Sequence, residues 1–371
     1  MPKAATISVP TNGFFVELQS LRGLAAGAVL MGHAANMYDQ PQAFYTAAWV
    51  FNGRGAVVLF FVLSGYVLTR SLRSDPFTSE SVLSFYIRRA ARIYPAIWVV
   101  STLSLVYLLA LHPLIPVPDA SAFFLSRYRP DRMNLLYVGA SYAGLSPFLM
   151  PQLWSITIEI AASMAMPLMA HAAYHRVRLF HGLGAGALIL CFMGQWTLYG
   201  ISFFAGAWLA RNTKSQQKCF MAFGKSSTGI AIGVVILFPF TQFLPLPYMS
   251  PVAALIETGL STLLIGLIVY SDCNLELLRV RLLVFLGDIS YSLYLVHFLV
   301  ASFLLKIFSV TGIMPRLGFT GISKSLILIG ATLLVCIPLS WLLYSFVEVP
   351  GIIAGRRLFP DFSRRRQAVM G

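Results

Sequence analysis

The feature that most constrains this chain is a succession of long apolar stretches separated by short polar links. A helix that crosses a membrane needs about 20 consecutive apolar residues, because the hydrocarbon core is about 30 Å thick. The stretches lack the strict alternation of barrel strands, and lipid offers unpaired backbone groups no partner, so helices remain as the way across. Spans are expected at 16–37, 51–70, 93–112, 134–150 running into 152–172 as one span, 179–195, 197–210, 227–246, 251–270, 283–307 and 324–348. The two short spans around Gly194, Gln195 and Trp196 suit a tight helical hairpin, and the mixed segment 120–150 suits a re-entrant or interfacial piece. The expected fold class is all-α, a polytopic membrane helical bundle of about ten transmembrane helices. It forms a single domain over residues 1–371, with a short cytoplasmic tail at 350–371.

Composition agrees and removes other classes. The chain is 58% hydrophobic and 11% charged, where a soluble domain is about a quarter charged. A net charge of +14 would suggest nucleic acid in a soluble protein. With the N-terminus inside, however, most of the 27 Lys and Arg gather on one side, from Lys3 and Arg22 through Arg70, Arg73, Arg88, Arg89 and Arg92 to Arg364, Arg365 and Arg366. The other side receives Arg54, Arg127, Arg129, Arg132, Lys306, Arg316 and Lys324. Such asymmetry marks the cytoplasmic face. Both termini are therefore expected in the cytoplasm, and the partners are membrane lipids, with no nucleic acid. Cys191, Cys219, Cys273 and Cys336 are scattered and form no CxxC, which indicates neither a disulfide framework nor a zinc site. The N-terminus has no compact apolar core followed by a cleavage motif, so it is expected to be mature sequence.

Against this apolar background the ionisable residues stand out, since burying them in a bilayer is costly. The first span carries Arg22 and His33, 11 residues apart. At about 100° per residue that is three turns plus about 20°, with a rise of about 16 Å, so both lie on one helical face. Arg22 also suits an interfacial anchor, and His33 a core imidazole. Ser64-Gly65 in the second span permits close helix approach. In FYIRRAARIYPAIW, Arg88, Arg89 and Arg92 share a face ahead of Pro95. They suit either an amphipathic headgroup-binding helix or a phosphate site gripped by planar guanidinium forks. Glu159, one turn after Ser155 in QLWSITIEIAAS, sits inside an apolar run where an unpaired carboxylate would need a cation, an imidazole or a proton. A contact between Glu159 and His33 is geometrically allowed. Ser290, Tyr294 and His297 fall on one face of the ninth span, beside Tyr291. They could line a site or form a polar seam between helices. His171, His175 and His181 lack the acidic partner of a metal motif, so no metal is expected. Glu348 is expected to pair with a basic loop residue, and Arg127, Arg129 and Arg132 to sit in a solvated outer loop that could also bind an acidic glycan.

Five motifs occur in order: SLRGLAAGAVLMGH, GAVVLFFVLSGYVL, RRAARIYPAIW, QLWSITIEI and FLGDISYSLYLVH. Over nearly its whole length the chain resembles the integral-membrane acyltransferase-3 family, bacterial O-acyltransferases of surface polysaccharides, lipopolysaccharide and related glycosides. The family's Arg-x10-His pair falls on Arg22 and His33, its RxxRIxP run on Arg89, Arg92 and Pro95, its WSxxxE on Trp154, Ser155 and Glu159, and its SYxxYLxH element on Ser290, Tyr291, Tyr294 and His297. The chain departs from it at Val349, where the family often has a basic residue, and it ends soon after the last span, as a member without an appended esterase-like domain would.

The resemblance implies a bacterial inner-membrane enzyme that moves an acyl group, most often acetyl, from acyl-CoA to a hydroxyl of a carbohydrate or glycolipid, with no tightly bound cofactor. On that footing Arg22, Arg88, Arg89 and Arg92 form the mouth for CoA phosphates. His33 is the general base, because an imidazole titrating near neutrality suits that task, and Glu159 orients it. Trp154, Ser155, Ser290, Tyr291, Tyr294 and His297 are substrate or oxyanion candidates. The alternative from another class is a proton-coupled transporter or flippase, for which an inverted repeat would be expected; no internal repeat is apparent.

Overall fold

The computed structural model describes residues 15–73, 77–112, 116–247 and 249–359. Lys3, Arg364, Arg365 and Arg366 lie outside them. Among the described residues there is no strand, only an isolated bridge between Tyr38 and Ala120. The principal helices are α1 (Val16–Ala35), α2 (Gly53–Ser71), α3 (Ser79–Val106), α4 (Leu153–His175), α5 (Val177–Cys191), α6 (Gly200–Ala210), α7 (Ser227–Leu237), α8 (Pro251–Tyr270), α9 (Arg281–Asp288), α10 (Ser290–Thr311), α11 (Ile322–Leu343) and α12 (Val349–Leu358).

Seven helical stretches among the described residues are long and apolar enough to cross a membrane: Gln42–Ser71, Ser79–Leu111, Leu153–His175, Gly224–Phe243, Pro251–Tyr270, Ser290–Thr311 and Ile322–Leu358. The sequence suggests about ten, and the difference has physical causes. Helix α1 is long enough, but Glu17, Arg22 and His33 dilute its apolar character. Helices α5 and α6 are only 15 and 11 residues long.

One expected span is corrected outright. Residues 134–172 do not form a single helix: Leu135–Tyr142 is separate from α4. Asn134 caps that short helix by accepting from the Tyr137 N–H, and beyond it Gly144 adopts φ +71°, a left-handed conformation that ends helical propagation. Pro95 gives the opposite result, since α3 runs through it unbroken. Tertiary packing inside a bundle re-satisfies the backbone groups that a proline frees.

Close helix contacts rest on glycine. A Cβ added to Gly65 of α2 would fall on the Phe203 carbonyl oxygen of α6, and one added to Gly206 of α6 would fall on the Val62 carbonyl oxygen of α2. The same reciprocity joins Gly23 of α1 to Gly287 of α9: a Cβ on the first meets the Gly287 nitrogen at 2.6 Å, and one on the second meets the Gln19 carbonyl oxygen. In lipid, where the hydrophobic effect does not drive helices together, such backbone approach supplies the packing.

Buried charge supplies the second tie. Arg54 at the start of α2 grips Glu257 of α8, with Nε 3.1 Å and Nη2 3.0 Å from Oε1, and Glu257 is fully buried. Thr241 donates to the same carboxylate oxygen at 2.9 Å, and Asn52 donates to Thr241 at 2.9 Å. Asn52 holds φ 36° while its side chain caps α2 at Gly55. The network fastens α2, α8 and the turn Phe238–Phe243 together.

Two outcomes are expected in thermal unfolding of the detergent-solubilised protein. Gly206→Ala should lower the midpoint strongly, whereas Gly186→Ala on α5, where a Cβ meets nothing within 4 Å, should leave it unchanged; equal midpoints would remove the close-approach account. Glu257→Ala strands a buried guanidinium and should cost about 3–5 kcal/mol. Arg54→Met combined with Glu257→Leu should recover most of that loss, and a double variant as unstable as the single one would show that the pair is not what binds α2 to α8.

Candidate active site

Two chambers enter the bundle, and α1 serves both. The first, about 90 Å³, is lined by Arg22 of α1, Phe60 and Ser64 of α2, Arg89 and Arg92 of α3, Ser155 and Glu159 of α4, and Ser290, Tyr291 and Tyr294 of α10. The second, about 480 Å³, is lined by His33 and Asn36 at the far end of α1, Asn52 and Arg54 at the start of α2, Phe123, Arg127, Trp154, Gln242 and again Tyr294. Val57 and Tyr294 line both. The spacing of Arg22 and His33 on one helical face is thus a spacing between chambers, about 16 Å along the axis.

The arginine chamber is built from paired charges with one cation over. Arg89 donates from Nη2 to Glu159 Oε1 at 2.7 Å and from Nε to Ser163, and Ser64 donates to the same Glu159 oxygen at 3.3 Å. Arg92 lies 3.9 Å from Glu348, which is buried and accepts from Ser292 at 3.1 Å. The partner of Glu348 is therefore this helix residue, not the basic loop residue expected. Arg22 faces Arg89, Arg92, Glu159 and Glu348 and makes no hydrogen bond to any described residue. Its planar fork is the group here with donors left for an anion. The Ser290 hydroxyl is buried without a partner among the described residues, while Tyr291 donates to the Ile93 carbonyl at 2.8 Å and so joins α10 to α3. Arg88 does not line this chamber; its backbone lies against Gly355 of α12.

The histidine chamber has a different character. His33 Nδ1 lies 2.8 Å from His297 Nε2 of α10, and His297 Nδ1 lies 2.8 Å from the Tyr294 carbonyl oxygen. Phe123 stacks on the His33 ring at 5.8 Å between centroids, and Phe298 meets it edge-on. Glu159 does not approach His33, because its carboxylate is taken by Arg89 and Ser64. The orienting role expected of Glu159 is a correction: the group in hydrogen-bond contact with His33 is His297. The Tyr294 hydroxyl and the Ser155 hydroxyl share a hydrogen bond of 2.6 Å. Trp154 contributes an indole, and Asn36 and Gln242 contribute amides.

Sequence reasoning passed over Arg54 and Glu257 as a pair. The available signal was Glu257 itself, a carboxylate in the apolar run PVAALIETGLSTLL, which needs a cation in a membrane protein. Arg127 lines the chamber, with its guanidinium 4.8 Å from the Phe123 ring centroid, whereas Arg129 pairs with Asp131 at 2.7 Å on the surface. His171 and His175 stack near each other at 5.2 Å, and no group of three potential metal ligands occurs among the described residues.

A peptidoglycan O-acetyltransferase, OatA of Listeria monocytogenes, is 31% identical over 150 residues, 38% of this chain and 22% of that protein. Nodulation protein 10 of Rhizobium leguminosarum bv. viciae is 23% identical over 208 residues, 51% of this chain and 52% of that one. An O-acetyltransferase OatA of Staphylococcus aureus is 27% identical over 168 residues, 43% of this chain and 25% of that protein. The chain thus spans about half the length of these relatives or less. No solved structure matches it. The acyltransferase-3 family model, an acyltransferase domain, matches residues 15–341, and this chain belongs to that family.

Proposed function

We propose that this protein is a membrane O-acetyltransferase that moves an acyl group from acyl-CoA, most simply acetyl-CoA, to a hydroxyl of a carbohydrate or glycolipid. The observation that carries this reading is the pair of chambers meeting at Tyr294, one lined by arginines and the other by His33. The names of the relatives support acetyl as the group and a glycan as the acceptor. In this reading the shorter α5 and α6 and the more polar α1 cross together with the seven long apolar stretches and both termini are cytoplasmic, so the first halves of α1 and α3, with Arg22, Arg89 and Arg92, face the compartment that holds CoA thioesters. The membrane is then the bacterial inner membrane.

In this reading the arginine chamber takes the phosphates of CoA. Arg22 supplies the unengaged fork, and Arg89 and Arg92 are held in place by Glu159 and Glu348. The thioester end extends along α1 toward Tyr294. The acceptor occupies the histidine chamber, where Trp154 offers a face for a sugar ring and Asn36, Arg54 and Gln242 offer polar contacts. His33 takes the hydroxyl proton as the oxygen attacks the thioester carbonyl carbon. The Tyr294 hydroxyl bonds Ser155, whose own hydroxyl donates to the Gln152 carbonyl; when the Tyr294 hydrogen turns from Ser155 to the developing oxyanion it supplies the donor there. The C–S bond then breaks, and the CoA sulfur leaves and is protonated.

Calorimetric titration of detergent-purified protein with acetyl-CoA tests the donor half. Arg22→Ala removes charge-assisted bonds worth about 1.5–3 kcal/mol, so Kd should rise at least about tenfold; an unchanged Kd would move the donor site elsewhere. His33→Gln tests the chemistry. It should bind acetyl-CoA like wild type yet transfer acetyl to glycan at least about 100-fold more slowly, and near wild-type transfer would reject His33 as the base. A well-folded sample that binds neither acetyl-CoA nor CoA would favour transport over transfer.

A further inference from the structure

We propose that His297 is the positioning residue that sets the tautomer of His33, so that His33 presents an unprotonated Nε2 to the histidine chamber. This rests on the transfer reaction above and deepens it. A carbonyl oxygen can only accept. The His297 Nδ1 that lies 2.8 Å from the Tyr294 carbonyl must therefore carry a hydrogen. A neutral imidazole has one N–H, so His297 Nε2 is a lone pair. The His33 Nδ1 facing it at 2.8 Å must then be the donor. That leaves His33 Nε2 as the acceptor, and no described residue is bonded to it.

The ring geometry supports a hydrogen bond over a stacked contact. The two planes differ by 11° and the centroids are 5.1 Å apart. That separation is what a 2.8 Å nitrogen–nitrogen contact gives when the distance from ring centre to nitrogen is added at both ends. The rings therefore meet edge to edge in one plane. His297 is fully buried, while His33 reaches the chamber. Phe123 and Phe298 hold the His33 ring from its face and its edge.

The arrangement favours the transition state. While His33 is neutral, its bond to His297 is an ordinary one. As the acceptor oxygen bonds to the thioester carbon, the hydroxyl proton passes to His33 Nε2, and the Nδ1–H···Nε2 bond becomes charge-assisted and stronger. Stabilisation that grows only as the reaction proceeds raises kcat without tightening substrate binding. When the C–S bond breaks, the sulfur leaves with the bonding pair and takes the proton from His33 Nε2 to become the CoA thiol, which restores the neutral pair. A neutral imidazole is also far cheaper to bury in an apolar bundle than the carboxylate of a hydrolase triad.

Solid-state ¹⁵N NMR of histidine-labelled protein in lipid reads the tautomers directly, with His33→Gln and His297→Gln used to assign the signals. Both histidines are expected as Nδ1–H tautomers at neutral pH; a His33 protonated on Nε2 would overturn the proposal. His297→Leu removes the acceptor, so kcat should fall about 100-fold with both KM values unchanged, and the His33 tautomer should switch or mix. Unchanged kcat would overturn the proposal. His297→Gln returns an acceptor oxygen near the lost Nε2 and should restore kcat to within about tenfold of wild type. A folded His297→Gln protein as inactive as His297→Leu would also overturn it. If His297→Leu does not fold, the glutamine variant and the wild-type spectrum decide alone. If wild type transfers nothing, the proposed function fails, and the tautomers still decide the hydrogen bond.

Discussion

A guanidinium taken out of water costs several kcal/mol unless a carboxylate and further hydrogen bonds answer it, and much of this bundle is arranged around that constraint. Arg54 with Glu257 joins α2 to α8, Arg89 with Glu159 joins α3 to α4, and Arg92 with Glu348 joins α3 to the π-helical segment Tyr344–Glu348 that links α11 and α12. Each pair crosses between helices, so the charges that define the chambers also fix the helices around them. Arg22 stands apart. It faces two arginines and two carboxylates already engaged with one another.

The glycine contacts explain how the helices come near enough for these pairs to form. Gly65 and Gly206 bring α2 and α6 to backbone contact, and Gly23 and Gly287 do the same for α1 and α9. Gly23 follows Arg22 directly, so the part of α1 that carries the unengaged arginine is clamped. The far end carries His33, held by Phe123, Phe298 and His297. Rigid helices are better supports for a reacting constellation than loops, and the groups closest to the proposed chemistry, His33, Tyr294, His297 and Ser155, all lie on helices.

Much of the fold was legible because apolar length and helical period are properties of a single segment. The shared face of Arg22 and His33, the clustering of Arg89 and Arg92, and the seam of Ser290, Tyr294 and His297 all follow from position along one helix. What was not legible is which helix lies beside which. Glu159 and His33 fall at compatible depths, yet α4 turns its carboxylate to Arg89 on α3, and His33 meets His297 because α1 packs on α10. The break between Leu135–Tyr142 and α4 was hidden for a different reason. The run is apolar enough to read as one span, and what ends the helix is the backbone conformation of a single glycine.

The two functional ends of α1 sit on one uninterrupted helix of 20 residues, and this restricts how such a chain can change. Substitutions along the segment between Arg22 and His33 alter packing and leave the register intact. Insertion of one residue would turn His33 about 100° away from its chamber and out of reach of His297, and insertion of four would restore the face but carry the ring about 6 Å along the axis. The spacing is quantised by the helical repeat: it accepts changes of letter and rejects changes of length. A loop could have connected the same two chambers with far looser tolerance, so a single rigid helix here trades freedom of length for a fixed separation between Arg22 and His33.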